Sequence, residues 1–315
     1  MSRVRVGVIG VGHLGQHHAR LLAAIDAADL VGICDTNHDR AAQIAGTCGG
    51  RCVDDPSELL SMVDAVTIAA PTVSHMALAL PFLEAGIATL VEKPMASSLE
   101  DADRLIRAAA GRGPLLAVGH TERFNPAVVA AMPLVTAPRF IEVHRLGTFP
   151  ERSLDIDVIF DVMIHDLDLI LALVRSDVVS IEAVGVHVLT SKADIANARL
   201  RFASGCIANI TASRISRERV RRARFFQQDA YVSIDFAAQE VEVYRLDRRG
   251  ARPAIQGGRV EVLREEPLRK ELEDFVDAVR TGRAPGVTGQ DGRAALALAT
   301  RVAEKMEGHE HLSPA

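Results

Sequence analysis

The stretch VRVGVIGVGHLG, residues 4–15, decides the fold of this chain. Its apolar start is typical of a short buried strand, and Gly10, Gly12 and Gly15 follow in GxGxxG spacing. In this pattern the first glycine allows a tight turn, the second leaves room for a pyrophosphate, and the third lets a helix pack closely on the strand. The free N–H groups at the start of that helix favour an anion. The stretch therefore predicts a dinucleotide-binding strand–turn–helix unit.

A second apolar strand, LVGICD, ends in Asp35, twenty positions after Gly15. A carboxylate at this spacing binds the adenosine ribose diol, which favours NAD over NADP. Arg40 follows closely enough to keep NADP open as the less favoured cofactor. The residues that we expect to bind the cofactor are Gly10, Gly12, His13, Leu14, Gly15, Asp35, Pro71, His75, Glu92 and Lys93.

The alternation of strands and helices continues to about residue 120. AVTIAAP ends at Pro71, IATLVEKP contains Lys93, and LLAVGH ends at His120. Strands that alternate with helices predict a parallel, doubly wound sheet, whose ligands bind beyond the carboxyl ends of the strands. We therefore expect chemistry from the polar residues at or just after these ends: Thr72, His75, Glu92, Lys93 and His120.

With 315 residues the chain is long for one core, and two domains are expected. We place a Rossmann domain at residues 1–120 and an α+β domain for substrate binding and oligomerisation at residues 121–315. Residues 178–262 alternate in polarity and predict a largely antiparallel open sheet, with residues 248–259 as an exposed loop. Two C-terminal helices, near residues 268–280 and 290–306, are expected to cover a flank or pack back on the first domain.

Composition excludes several classes of protein. The chain carries 36 basic and 41 acidic residues, a net charge of −5, which argues against a nucleic-acid binder. The sequence has no apolar run of signal or membrane length, so we expect a cytoplasmic protein without a membrane partner. Its four cysteines form no CxxC pair, and no cluster has metal-ligand spacing, so no metal is expected.

A polar stripe interrupts an otherwise apolar helix in DVIFDVMIHDLDLILALV, residues 157–174. Asp161, His165 and Asp168 stand at i, i+4 and i+7, so we expect them to share one face of this helix. Ionisable groups in an apolar setting are costly unless they are paired or used, and their pKa values can be tuned. The stripe therefore indicates either a His–Asp pair that satisfies itself in a core or a catalytic site.

Several motifs together resemble one enzyme family. GVGHLG, EKP at 92–94, GHTERFNP at 119–126 and the D-x-x-x-H of Asp161 and His165 occur in the order and spacing of the Gfo/Idh/MocA oxidoreductases. The resemblance covers nearly the whole chain and implies that Lys93, Asp161 and His165 are catalytic, beside the nicotinamide. Within the family, residues 119–128 and 147–170 are most similar to members that oxidise the 3-hydroxyl of UDP-N-acetylglucosamine to a 3-keto sugar.

The residues also fit this chemistry when they are considered without the family. Oxidation of a secondary alcohol requires a base for the hydroxyl proton, and a neutral His165 suits that role near neutral pH. Asp161 could orient the imidazole, and Lys93 could hold the reacting oxygen and stabilise its developing charge. The residues that we expect to bind the substrate are Lys93, Arg123, Asn125, Arg152, Asp161 and His165.

The two phosphates of a UDP-sugar should be held by arginines. Arg123 and Arg152 are the best candidates. The arginine run, defined as Arg217, Arg219, Arg221, Arg222 and Arg224, is a weaker one because runs of charge usually lie on solvated faces. For Asn125, capping of the short helix before Pro126 is an equal alternative to a substrate contact.

Other functions stay open at this point. The main alternative is a dehydrogenase of a free polyol, inositol or sugar; an NAD-dependent glycosidase and a non-catalytic dinucleotide-binding regulator are less favoured. The roles of His120, where many family members carry Tyr, and of Asp168 are undecided. An exposed face of the antiparallel sheet is a natural contact surface for a homodimer or homotetramer.

Overall fold

The computed structural model describes residues 3–112, 115–149, 156–249 and 252–310. Its strands are β1 Val4–Ile9, β2 Ala28–Cys34, β3 Arg51–Val53, β4 Ala65–Ile68, β5 Ala88–Glu92, β6 Leu116–Gly119, β7 Phe140–Leu146, β8 Val178–Val186, β9 Ile195–Phe202, β10 Ile207–Ser213, β11 Val220–Phe226, β12 Ala230–Asp235, β13 Glu240–Asp247 and β14 Ala254–Val260. Its α-helices are α1 Gly15–Ala23, α2 His38–Cys48, α3 Thr72–Glu84, α4 Leu99–Arg112, α5 Pro126–Ala131, α6 Ile164–Val174, α7 Pro267–Thr281 and α8 Gly289–Glu310.

The first of two compact units comprises Met1–Thr121 and Glu266–Arg293. In its described residues, six strands form one parallel sheet in the order β3-β2-β1-β4-β5-β6. The short strands β4 and β5 are buried throughout, as expected of a sheet covered on both faces. The strand order reverses between β1 and β4, and ligands of such sheets bind outside the carboxyl ends at this point. The doubly wound fold expected for the N-terminal half is confirmed.

Helix α7 belongs to the first unit although it lies far along the chain. Its apolar residues Leu268, Leu272, Phe275 and Val276 are buried in the core that also contains β1, α1 and β2. The helix is amphipathic at 3.6-residue spacing, and this apolar stripe needs a surface to cover. The helix therefore completes the face of the nucleotide-binding sheet that α1 begins.

The second unit comprises Glu122–Glu265 and Ala294–Ala315. Eight strands of its described part form a sheet in the order β14-β13-β12-β11-β7-β10-β9-β8, antiparallel except for the parallel pair β7–β10. One face is buried: in β9, for example, Ala196, Ala198, Leu200 and Phe202 point into a core that also takes residues from α5, α6 and α8. The largely antiparallel open sheet expected from sequence is confirmed.

One local expectation was wrong, and one expected helix has an irregular first turn. Within residues 248–259, expected to be a loop, Ala254–Val260 forms β14 and pairs with β13 from Val241 to Asp247. Arginine and glycine are poor strand formers, but the unpaired edge of β13 supplies the hydrogen bonds, and this pairing overrides local propensity. The helix expected over residues 157–174 begins with a π turn, Ile159–Met163, before α6. The π turn contains Asp161 and leads directly into the turn of α6 that carries His165.

Asp194 anchors the chain that leads into the π turn. Its fully buried carboxylate accepts three backbone N–H groups, those of residues 188–190, at 2.6–2.9 Å. Arg214 donates to Asp194 at 2.9 Å and to the carbonyl oxygen of Ile156 at 2.6 Å. Burial alone would raise the pKa of Asp194, but the backbone donors outweigh it and hold the pKa below its ordinary value. The ionised carboxylate thus fixes residue 156, three residues before the π turn.

We expect Asp194→Asn to lower the melting temperature at pH 7, because the amide would turn an N–H₂ group towards N–H donors. The folded-state pKa of Asp194 lies below the ordinary value of about 3.9, so its stabilisation is present above that pH and is lost as the pH falls below it. The gap in Tm between wild type and variant should therefore shrink from pH 7 to pH 3, as followed by circular dichroism. Exposed Asp229→Asn is the control, and a gap independent of pH contradicts the prediction.

Candidate active site

The turn from β1 to α1 has the shape that a pyrophosphate requires. Gly10 has φ +81°, and a Cβ added at Gly15 would lie 1.8 Å from the carbonyl oxygen of Gly10. A Cβ added at Gly12, by contrast, would meet nothing within 4 Å, so space is open beside this residue. His13 and Leu14 are exposed just before the first turn of α1, which contains no acidic side chain. The residues present fit the diphosphate of a dinucleotide at the start of the helix.

Asp35 lies directly after β2, beside this turn. Its carboxylate accepts the N–H of Val11 at 2.7 Å and the N–H of Asn37 at 2.8 Å. Arg40 donates to the carbonyl oxygens of Val11 and Gly12 at 2.5 and 3.3 Å, so its guanidinium holds the glycine turn. A fixed carboxylate at this edge accepts a ribose hydroxyl and repels a 2′-phosphate. The geometry fits NAD better than NADP.

His75 connects two loops at the carboxyl ends of β4 and β5. It is 1% exposed, with Nδ1 2.9 Å from the carbonyl oxygen of Pro94 and Nε2 2.8 Å from that of Ala70. Burial lowers the pKa of His75, against the opposing effect of the two carbonyls. Pro71, the other expected cofactor residue here, is exposed immediately before α3. His75 thus holds the turn after Lys93 against the loop after β4.

Glu92 points back into the fold. Its Oε1 lies 3.0 Å from Nε2 of fully buried His18, and its Oε2 accepts the backbone N–H of Lys93 at 3.2 Å. Gly119 on β6 makes room for this carboxylate, since a Cβ there would lie 2.7 Å from the Glu92 Cδ. Lys93 itself is half-buried, and its peptide bond to Pro94 is cis. Glu92 therefore positions the backbone of Lys93. Its contact with His18 of α1 was not predicted from the sequence.

In the second unit, Arg123 and Asp168 form a bidentate ion pair. The Arg123 Nε and Nη2 donate to the two carboxylate oxygens of Asp168 at 2.6 and 2.9 Å, and Asp168 is 2% exposed. This contact ties the segment after residue 121 to α6. It gives Asp168 a structural partner, and it occupies two of the donors that a phosphate contact by Arg123 would use.

A second buried ion pair, between Arg145 and Asp166, joins α6 to strand β7. Arg145 of β7 donates to both oxygens of Asp166 at 2.8 Å and to Glu122 at 2.8 Å. Although burial alone lowers it, the pKa of Arg145 is raised above its ordinary value by these two carboxylates. The guanidinium also lies 5.1 Å from the ring centre of Phe236.

This network could have been found from the sequence. Ile141, Val143 and Arg145 occupy every second position of β7 and so lie on its apolar face. An arginine on such a face needs a buried partner. What the sequence did not reveal is which carboxylate provides that partner, because Asp166 and Glu122 lie far from Arg145 along the chain.

Asn125 caps the short helix α5. Its Oδ1 accepts the N–H of Ala127 at 3.0 Å, and its Nδ2 donates to the Phe236 carbonyl oxygen at 3.0 Å and to Glu122 at 3.1 Å. The side chain is 2% exposed. The capping alternative is therefore observed, and a substrate contact by Asn125 stays a prediction.

The proposed base and its neighbour lie where the helix begins. Asp161 is part of the π turn and His165 of the first turn of α6, and both are half-buried. Asp168 is not equivalent to them, since it is buried against Arg123. A π turn within a helix is frequent at functional sites. His120 is buried, 1% exposed, just after β6.

Arg152, the other expected phosphate ligand, lies outside the described residues. Within the described ranges, no group of three or more His, Cys, Asp or Glu side chains is placed to hold a metal ion. The helices of these same ranges include none that is long and apolar enough to cross a membrane.

Comparisons with known proteins agree with this geometry. Residues 4–120 match the profile "Oxidoreductase family, NAD-binding Rossmann fold", and residues 141–233 match the "GFO/IDH/MocA C-terminal domain". A curated UDP-N-acetylglucosamine 3-dehydrogenase from Acidithiobacillus ferrooxidans is 43% identical over 98% of both chains. The chain belongs to the Gfo/Idh/MocA oxidoreductase family.

Structures and more distant family members extend the likeness. A solved structure of the A. ferrooxidans enzyme aligns with this chain at a TM-score of 0.91 and 42% identity. The alignment covers 98% of this chain and 99% of that enzyme. A myo-inositol 2-dehydrogenase from Thermotoga maritima is 28% identical over 96% of both chains. The protein is thus an NAD-binding oxidoreductase, and its curated relatives are sugar and inositol dehydrogenases.

Two glycine variants separate folding from cofactor binding. Gly15→Ala should lower both the melting temperature and NAD affinity, because its Cβ would overlap the Gly10 carbonyl oxygen. Gly12→Ala should leave the melting temperature unchanged, since its Cβ meets no protein atom, but should weaken NAD binding by about tenfold or more. Calorimetric NAD titration and thermal unfolding measure the two effects. Unchanged NAD affinity in Gly12→Ala would show that the diphosphate does not lie beside this residue.

Proposed function

We propose that this protein oxidises the 3-hydroxyl of UDP-N-acetylglucosamine with NAD and releases the 3-keto nucleotide sugar. The observation that carries the proposal is the 43% identity over nearly the full length of both chains with an enzyme of that activity. The inositol dehydrogenases share much less of the sequence. The fixed carboxylate of Asp35 and the open space beside Gly12 supply the NAD site that the reaction needs.

We assign the role of general base to His165. Its position in the first turn of α6 is supported by the ion pairs of Asp166 and Asp168, which join the same helix to Arg145 and Arg123. A base held by a rigid helix keeps the short distance to the hydroxyl that proton transfer requires. Asp161, in the π turn before it, is assigned to orient the imidazole and stabilise its protonated form.

Lys93 is assigned to hold the reacting oxygen, on the strength of the family motif EKP. Its ammonium group would stabilise negative charge that develops as the proton leaves. The local contacts suit a fixed role, because Glu92 accepts the Lys93 N–H and His75 lies against the Pro94 carbonyl. Bound NAD supplies the hydride acceptor.

We also propose that a second copy of the chain covers the open face of the second sheet, giving a homodimer or homotetramer. An aromatic row crosses four strands of this face, with Phe140, Phe226, Tyr231 and Tyr244 in successive ring contacts. Phe226 and Tyr244 are 37% and 40% exposed, and exposed apolar rows of this kind are typical of subunit interfaces. Light scattering should give at least twice the 33.9 kDa of one chain; a monomer contradicts the assignment.

We propose the cytoplasm as its location. The four cysteines, all within the described ranges, are free thiols. This is the state expected in a reducing compartment.

The decisive experiment follows nicotinamide absorbance after the protein is mixed with NAD and one of three compounds: UDP-N-acetylglucosamine, free N-acetylglucosamine or myo-inositol. A carbonyl trap removes the product of an unfavourable oxidation. We expect reduction of NAD with the UDP-sugar and little with the others. Reduction only with a free sugar or polyol would overturn the substrate and favour the alternative dehydrogenases. Absence of reduction with cleavage of a glycosidic bond would indicate the glycosidase.

The same assay tests the base. His165→Ala should lower turnover by about 10²- to 10⁴-fold, because proton abstraction loses its acceptor, while NAD still binds. His144→Ala on the open face of the sheet, where the side chain is 41% exposed, is the matched control; it should retain full turnover, and light scattering checks that the assembly is unchanged. Near-normal turnover in His165→Ala would remove this residue from the mechanism.

A further inference from the structure

The arginine run separates into two faces once β11 is formed. Arg222 and Arg224 lie on the open face, where they donate to Asp235 at 3.1 Å and to Glu142 at 2.7 Å. Both partners are neighbours across the strand in register, so these two charges are neutralised locally. These two arginines therefore have a carboxylate partner on the open face of the sheet.

Arg221 belongs to the opposite face. Side chains two residues apart share a face of a strand, and Ala223 and Phe225, which follow at this spacing, are buried under the helices. Arg221 is the second residue of the strand and is exposed. It is therefore an arginine that faces the helix side of the sheet and still reaches solvent.

The neighbour of Arg221 in register is Arg145. Arg145 is neutralised by Asp166 and Glu122, whereas the guanidinium of Arg221 forms no hydrogen bond or ion pair with any described side chain. Asp166, which binds Arg145, directly follows His165 in α6. Among the described residues, a cation without a carboxylate partner thus lies on β11, beside the strand whose Arg145 binds Asp166.

The substrate of the proposed function needs such a cation. In a nucleotide sugar the diphosphate is attached at C1, so it lies one sugar ring away from the 3-hydroxyl that His165 would deprotonate. A guanidinium binds phosphate oxygens bidentately. Since the chain as a whole carries a net charge of −5, attraction of a dianion must come from a local cation.

We propose that Arg221 binds the diphosphate of the sugar substrate and sets the preference for a nucleotide sugar over a free sugar or polyol. This inference rests on the proposed function and adds a residue to its substrate site. Arg123, whose Nε and Nη2 bind Asp168, then serves to position α6, and Arg221 takes the phosphate role that the sequence assigned to Arg123.

The test compares Arg221→Gln with Arg222→Gln, its neighbour on the opposite face. Arg221→Gln should raise KM for UDP-N-acetylglucosamine by about tenfold or more with kcat little changed, because a charge-assisted contact to phosphate is lost from ground state and transition state alike. Weak turnover of free N-acetylglucosamine should not change. Arg222→Gln should leave both KM values unchanged, and Arg221→Lys should recover part of the loss. Light scattering checks that neither variant alters the assembly.

Binding of UDP, measured by calorimetry in the presence of NAD, provides a readout without turnover. It should weaken by a similar factor in Arg221→Gln and not in Arg222→Gln. Unchanged KM and unchanged UDP affinity in Arg221→Gln would overturn the inference while the wild-type activity leaves the proposed function intact. If the wild type does not oxidise the UDP-sugar, the proposed function fails, and the UDP titration alone decides whether Arg221 binds a diphosphate.

Discussion

The buried ion pair between Arg145 and Asp166 is the interaction on which the second unit depends. It joins the central strand β7 to the helix that carries His165, and Glu122 completes the coordination of the guanidinium. Removal of one partner from such a pair leaves an uncompensated charge in the core, at a cost of about 3–5 kcal/mol. Hydrophobic contacts alone would allow α6 to slide or rotate on the sheet. The bidentate geometry fixes one position of α6 along β7, and this position sets where His165, the proposed base, lies.

Charged residues of the first unit hold backbone in the same way. Asp35 and Arg40 grip the glycine turn through its N–H and carbonyl groups, while Glu92, bound to buried His18, fixes the N–H of Lys93. Asp35 and Glu92 lie at the carboxyl ends of β2 and β5, and their contacts hold the loops that follow these strands. Many polar residues around the expected cofactor site therefore hold the backbone in place, so the shape of the site is set before the cofactor binds.

Five arginines on or beside β7, β11 and α6 differ in their partners within the described residues. Arg123, Arg145, Arg222 and Arg224 each face a carboxylate at ion-pair distance, and Arg221 faces none in the described part of the chain. A paired arginine stabilises the fold, and an unpaired one on the helix side is available to an anion. On the proposal made for Arg221, this local charge is what selects a nucleotide sugar, while the residues proposed for the oxidation are separate from it.

The sequence by itself determined the fold class, the cofactor and the family, because each is written in local patterns: glycine spacing at 10–15, a carboxylate after the second strand, and strict alternation in segments such as 195–202. It also marked Lys93, Asp161 and His165. Only the tertiary structure decided which charges neutralise each other, since Arg145 finds Asp166, and Arg123 finds Asp168, through contacts between elements distant in sequence. The same holds for β14 and for the π turn at 159–163, where pairing and packing overrode local propensity. Which two charged side chains pair depends on their distance in the folded structure, and their spacing along the sequence does not predict that distance.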